Sequence, residues 1–205
     1  MIKVLKDDRA ETPDTQLVLL TQQGDRSSFG ELYRRYHKRV RSTLYQLCGE
    51  YLLDDLEQEV FLRVWKGLPK LREASYFATW IYRITWNVAS DRRRHLAKSR
   101  RWRQKQEAEI FSVELAREEH FASDCASRPQ DSPDLMQLHY QDLVQRGLQN
   151  LSLEHRAVLV LHDLEDVAQK EIAEILNIPL GTVKSRLFHA RKAIRKFLQE
   201  QGASL

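Results

Sequence analysis

The sequence predicts an all-α protein of two small helical domains joined by a flexible acidic linker. Three observations carry this prediction. Seven glycines and five prolines in 205 residues leave few breaks, and strand-like alternation is scarce. Apolar residues instead recur at spacings of three and four, as helices burying one side require. Between these periodic stretches, residues 106–133 change character. Glu107, Glu109, Glu114, Glu118, Glu119, Asp124, Asp131 and, at the edge, Asp134 face only Arg117 and Arg128. A stretch of that length does not belong inside a compact domain, so it divides residues 1–105 from 134–205, with its first half free to be helical.

The elements follow in order. A first helix is expected over Pro13–Gln23, with Thr12 as N-cap, Pro13 at the first helical position and Gly24 ending it. A second starts after Asp25 and ends near Gly49, burying Phe29, Leu32, Tyr36, Val40, Leu44 and Leu47. The third is "DDLEQEVFLRVWKGL", residues 54–68. Leu53, Leu56, Val60 and Val64 form its core side, and its four acids point elsewhere. After a break at Gly67–Pro69 comes one long helix, "YFATWIYRITWNVASDRRRHLAKSRRWRQ". The second domain should hold helices at about 134–149, 153–163, 168–177 and 182–198, the first capped by Ser132 and the last two separated by the tight turn "IPLG".

Bulk properties exclude several classes. A hydrophobic content of 42% with 30% charged residues belongs to an ordered globular protein. No apolar run approaches the roughly 20 residues that cross a bilayer, and "MIKVLKDDRAETPD" has no signal-peptide core, so a cytoplasmic location without membrane insertion is expected. Cys48 and Cys125 are far apart and read as ordinary reduced thiols. No HExxH, GxSxG or phosphate-binding glycine loop occurs. No enzyme activity, metal or cofactor is expected.

Two stretches look built for nucleic acid, in keeping with a net charge of +4. "KEIAEILNIPLGTVKSRLFHARKAIRK" has the layout of a helix-turn-helix. On its last helix Val183, Leu187, Ala190, Ile194 and Phe197 should pack inward. The other sides carry Lys184, Ser185, Arg186, Phe188, His189, Arg191, Lys192, Arg195 and Lys196, with no acid between Thr182 and Lys196. Such a helix suits a major groove, its early residues meeting base edges and its later ones phosphates.

The long helix differs. At 100° per residue, Phe77, Ile81, Ile84 and Val88 fall together as core. Tyr76, Trp80, Arg83, Asn87 and Arg94 share a neighbouring stripe. Rings can stack on unpaired bases, an amide and a guanidinium can bond base edges, and cations can hold the backbone. Trp86 reads as core or as a partner contact. Residues 92–105, beginning with Arg92, Arg93 and Arg94, hold eight Lys/Arg and no acid, which draws in phosphates.

One chain thus carries a duplex reader and a single-strand reader. At about 1.4 kcal/mol per step, melting roughly ten base pairs costs on the order of 10–15 kcal/mol. Base–aromatic stacking returns only about 1–3 kcal/mol per base, and few aromatics are available. Strand opening therefore needs a larger machine. The acid-rich helix at 54–68 is the candidate handle, because carboxylates there steer that face toward a basic partner.

These motifs together resemble the extracytoplasmic-function sigma factors, small specificity subunits of bacterial RNA polymerase. The resemblance covers about residues 14–105 and 134–198. "DLEQEVFLRVW" is similar to the family's core-polymerase-binding helix. "FATWIYRITWNVASDRRR" is similar to its promoter-melting and −10-reading segment, and "GTVKSRLFHARKAIRK" to its −35-reading helix. The resemblance implies that residues 1–105 form sigma region 2 and 134–205 sigma region 4. It implies docking of Asp55, Leu56, Gln58 and Glu59 on the β′ clamp coiled coil, with a further contact to the β flap. It implies −10 contacts by Asn87 and Arg83, −35 contacts by Lys184, Ser185, Arg186, Phe188 and His189, and capture of a flipped base near Lys70–Tyr76. His189 departs from the arginine often found at that position. The acidic linker would thread basic polymerase channels, and an anti-sigma factor would hold the protein inactive. The competing readings are a stand-alone helix-turn-helix regulator, which leaves residues 25–105 without a task, and an inert homologue that only sequesters a regulator.

Overall fold

The structure, a computed structural model, describes residues 12–50, 52–110 and 142–201, with 97–110 as backbone. Its regular elements are all helical: α1 (Asp14–Gln22), α2 (Arg26–Cys48), α3 (Leu53–Gly67), α4 (Phe77–Ile110), α5 (142–149), α6 (Leu153–Leu159), α7 (Gln169–Leu176) and α8 (Leu180–Glu200). α6 (Leu153–Leu159) runs on into a wider π turn over Val160–Leu164.

Helices α1–α4 form one bundle. α2 lies at its centre, in contact with α1, α3 and α4. Val18, Leu32, Val40, Leu44, Val60, Val64, Phe77, Ile81 and Val88 fill the interior, all nearly solvent-free. Apart from Val18 these belong to the stripes that the spacing predicts, whereas Phe29, expected within the α2 stripe, is only partly buried. Asp25 starts α2 by accepting the Ser27 N–H at 2.9 Å and the Ser27 and Ser28 hydroxyls at 2.6 Å each. Pro13 is the N-cap of α1, so the helix begins one residue later than expected. Its extended backbone (ψ 147°) places Thr12 outside, without a capping side chain. Gln22 then donates from its side-chain amide to Leu68 O at 3.0 Å and Leu71 O at 2.8 Å, tying α1 to the turn that separates α3 from α4.

Helices α5–α8 form the second group. Leu148, Ala157, Val158, Val160, Ile172, Ile175, Val183, Leu187 and Ala190 are buried together. A β-carbon on Gly147 would stand 3.0 Å from Phe197 and 3.2 Å from Ile194, so this glycine lets α8 approach α5. The helix-turn-helix forms as expected, with one correction. The turn residue with positive φ is Asn177 (φ 53°), whose neighbour Ile178 donates to Ala173 O at 3.0 Å. Asparagine tolerates that conformation. Pro179 caps α8, and Gly181 lies within the helix's first turn rather than in the connection.

The two groups touch. α7 packs on α4, and α6 and the π turn pack on α2. α4 continues to Ile110, into the segment expected to begin the linker. The rest of that segment, and the expected Ser132 cap, lie outside the described residues.

Candidate polymerase and nucleic-acid interfaces

The first surface is the outer edge of α3. Asp55 and Gln58 are exposed. Glu59 is half-exposed and accepts from Arg63 Nε at 2.7 Å. Leu56 is only 7% exposed and faces the bundle interior. Glu57 corrects the expectation that all four acids point away from the core. It is 8% exposed, lies 2.8 Å from Arg41 Nη1, and is 3.5 Å from the Tyr33 hydroxyl. Helical geometry forces this, because residue 57 sits one turn from Phe61 and Val60 on the side facing α2.

Sequence reasoning missed the apolar half of this surface. A groove of about 560 Å³ opens between α2 and α3, with Gln58 on its rim and Phe29, Tyr33, Phe61, Leu62 and Trp65 along it. Leu62 and Trp65 stand 43% and 40% exposed, and Trp65 meets Phe29 edge-on at 4.7 Å. The available signal was their place off the Leu53–Leu56–Val60–Val64 stripe. Contiguous apolar side chains exposed outside the core stripe form the kind of patch that a partner can cover.

The second surface is the outer stripe of α4. Tyr76 is 54% exposed, and Arg83, Asn87, Arg93 and Arg94 are exposed. Arg92 is partly buried, and so is Trp86, which packs against the core. Trp80 is also half-buried. Its indole lies on Gly67 and near the Phe77 ring, 6.1 Å away between centroids. Arg94 bonds Asp91 at 2.7 Å, and Asp91 reaches Arg63 at 3.3 Å. A line of alternating charge, Glu59–Arg63–Asp91–Arg94, therefore joins the first surface to the second.

The third surface is the outer side of α8. Lys184, Ser185, Phe188, His189 and Lys192 are exposed, Phe188 at 65%, while Arg186 is partly covered. Phe188 and His189 meet edge-on at 5.4 Å. Arg191 is not free: its Nε donates to Asp163 at 2.9 Å. This hydrogen bond holds the Asp163 carboxyl below the usual carboxylate range.

Comparison with known proteins agrees with this geometry. Residues 32–100 match Sigma-70 region 2, and residues 141–194 match Sigma-70 region 4. The RNA polymerase sigma-H factor of Pseudomonas aeruginosa is 31% identical over 189 residues, covering 91% of this chain and 94% of that protein. The ECF RNA polymerase sigma-E factor of Escherichia coli K12 is 31% identical over 188 residues, with the same coverage. Two solved structures share the fold. CnrH in complex with the cytosolic domain of CnrY aligns with TM-score 0.64 at 20% identity, covering 91% of this chain and 97% of that one. The sigma factor RpoE of Bartonella quintana, in complex with the anti-sigma factor NepR, aligns with TM-score 0.56 at 19% identity, covering 83% and 96%.

The two matched regions define a specificity subunit of RNA polymerase rather than an enzyme. Within that class, the chain belongs to the extracytoplasmic-function sigma factors. It binds core RNA polymerase and directs promoter recognition through regions 2 and 4. Among the described residues, no helix is long and apolar enough to cross a membrane, and no cluster of His, Cys, Asp and Glu could hold a metal ion.

Proposed function

We propose a division of the chain in which residues 1–105 grip polymerase and hold the separated −10 strand, 106–133 are an acidic tether, and 134–205 read the −35 duplex. Asp55, Gln58 and Glu59 present carboxylates and an amide to a basic helical partner, the β′ clamp coiled coil. The apolar groove beside them receives that partner's apolar side chains. Leu56, buried in the bundle, sets the position of α3 rather than touching the partner.

On α4, Tyr76 and Trp80 stack on bases, Arg83 and Asn87 bond their edges, and Arg92, Arg93 and Arg94 hold phosphates. The exposed loop from Lys70 to Tyr76, which leads into this stripe, takes a flipped base. On α8, Lys184, Ser185, Arg186, Phe188 and His189 face −35 base pairs, while Arg191 and Lys192 lie on the phosphate side. Region 4 also meets the β flap. The sigma factor of known structure bound to NepR supports an anti-sigma partner for this chain as well.

The observation that carries this reading is the adjacency of opposite chemistries on one bundle. An acid-rimmed apolar groove lies on α3, and an aromatic, amide and cation stripe lies on α4 beside it. Alanine substitutions separate the roles. Gln58→Ala with Glu59→Ala should lower core affinity. Arg83→Ala with Asn87→Ala should leave core affinity intact and lower open-complex formation, read by permanganate reactivity of unpaired thymines. Loss of core affinity in the second pair would contradict the division.

A further inference from the structure

Beside the apolar side chains that join both helical groups in one buried cluster, the contact between them holds polar groups that the promoter-reading surfaces do not use. Its centre is Glu165, which follows the π turn of α6 and is 5% exposed. The Tyr82 hydroxyl donates to its carboxylate at 2.8 Å. Arg39 Nε donates to the same carboxylate oxygen at 3.1 Å, and Arg39 Nη2 to the Glu165 carbonyl at 2.7 Å. Tyr82 comes from α4 and Arg39 from α2, so both donors belong to the other group. The π turn creates this placement. Glu165 N–H reaches back to Val160 O at 3.1 Å, and Asp166 takes a positive φ of 55°. The irregular turn thus aims Glu165 at α4 while Asp163 holds α8.

A second anchor lies nearby. Arg156 of α6 is 7% exposed and donates to Gln46 O at 3.4 Å and Leu47 O at 3.2 Å, at the C-terminal end of α2. The same guanidinium donates to Gln149 O at 2.8 Å and Leu151 O at 3.3 Å. A cation suits the negative end of a helix. When the groups part, these donors and acceptors can be hydrated.

Closure brings the promoter readers together. Asn87, Arg93 and Arg94 of α4 share a cleft of about 560 Å³ with Ser152 and Glu154 of the second group. The Glu154 carboxyl is held low by hydrogen bonding to its own backbone N–H and to Ser152, with the charges of Arg186 on α8 and Arg93 on α4 adding to this. A −10 cation of α4 and a carboxylate of the second group thus line one cleft. On a promoter the two elements lie about 25 base pairs apart, roughly 85 Å of duplex at about 3.4 Å per pair. The closed chain cannot span that distance.

We infer that this chain closes on itself, with Glu165 as the latch that holds region 4 against the −10-reading helix until polymerase and promoter draw them apart. The inference rests on the sigma-factor reading above. The exposed edge of α3 stays open in the closed chain, so docking on polymerase can precede opening. By the population argument, a closed majority lowers apparent activity by the fraction that is open.

The test uses the full chain as wild type, Glu165→Gln and Tyr82→Phe. Small-angle scattering of the free proteins should show a compact wild type and a larger radius of gyration for both variants. Promoter-dependent transcription at limiting sigma should rise about fivefold, following the gain in open population. Helicity by circular dichroism guards against misfolding, and if Glu165→Gln loses helicity the decision passes to Tyr82→Phe, which keeps the ring. An extended wild type, or variants matching a compact wild type in scattering, would overturn the latch. Expanded variants without a gain in transcription would overturn its inhibitory role, while the wild type's own promoter-specific starts would leave the sigma reading standing. Absence of those starts in wild type would instead be a failure of the sigma reading.

Discussion

The indole of Trp80 rests on Gly67 so closely that a β-carbon at residue 67 would stand 2.8 Å from Cζ2 and 3.2 Å from Cη2. The end of α3, which carries the proposed polymerase-docking edge, thereby sets the position of an aromatic on the proposed −10 stripe. Gly67→Ala should force the indole outward or sideways. We expect a stability loss of about 1–3 kcal/mol in urea titration, the usual range for overpacking. Open-complex formation should fall while core binding holds. An unchanged permanganate pattern would show that Trp80 packs without reading DNA.

Polymerase docking gives the second prediction. Gln58→Ala with Glu59→Ala should weaken core binding by about 1–2 kcal/mol, on the order of tenfold in Kd. Both residues lie on the outer edge of α3, so the melting temperature should stay nearly constant. A titrated pull-down against core polymerase measures the effect.

Arg191 supplies the third. Asp163 holds its guanidinium in the free protein. Asp163→Asn should release that cation to phosphate. Binding of a −35 duplex should tighten and become more salt-dependent, with the slope of log K against log salt steeper by about 0.9. The fold should lose little, since half-exposed ion pairs contribute about 0–1 kcal/mol.

Phe188 and Lys192 should behave differently on the same helix. Lys192→Ala should weaken all −35 sequences alike and reduce the salt slope by about 1, as loss of a phosphate contact does. Phe188→Ala should leave the salt slope alone and relax preference at one base pair, because an apolar ring reads a thymine methyl. Binding to a set of singly substituted duplexes at several salt concentrations separates the two.

A pH effect follows from Asp25. Hydrogen bonds from the Ser27 and Ser28 hydroxyls, and then from the Ser27 backbone N–H, lower its pKa to about 2. A carboxyl lowered on folding stabilises the native state above its unfolded pKa and loses that effect as pH falls through the folded value. Asp25→Ala should therefore melt at a lower temperature than wild type at neutral pH. The two melting curves should converge as pH approaches about 2.

The fold was legible where periodicity and burial coincide. The stripes of α2, α4 and α8 could be read because three-and-four spacing has one inward solution for each helix. The basic outer side of α8 was legible because the run from Thr182 to Lys196 holds no acid, though that run gave no sign of the Asp163 partner that Arg191 finds on the π turn. Glu57 was misread because charge alone placed it outside, whereas its position on α3 and the presence of Arg41 allow burial. The groove between α2 and α3 escaped notice because Leu62 and Trp65 look like ordinary apolar residues until the core stripe is complete. The latch was invisible because Glu165 sits in a non-periodic turn and its partners Tyr82 and Arg39 lie 83 and 126 residues away. Local spacing carries no trace of such a pair.

The central claim is that one side of the N-terminal bundle grips polymerase so that the neighbouring stripe can hold separated strands. Reconstitution with core polymerase, followed by sequencing of transcript 5′ ends from a genomic library, tests it most directly. We predict a small set of start sites that share −35 and −10 elements, absent with core alone and lost in the Gln58→Ala, Glu59→Ala double variant. The same start sites from core with and without this protein would contradict it.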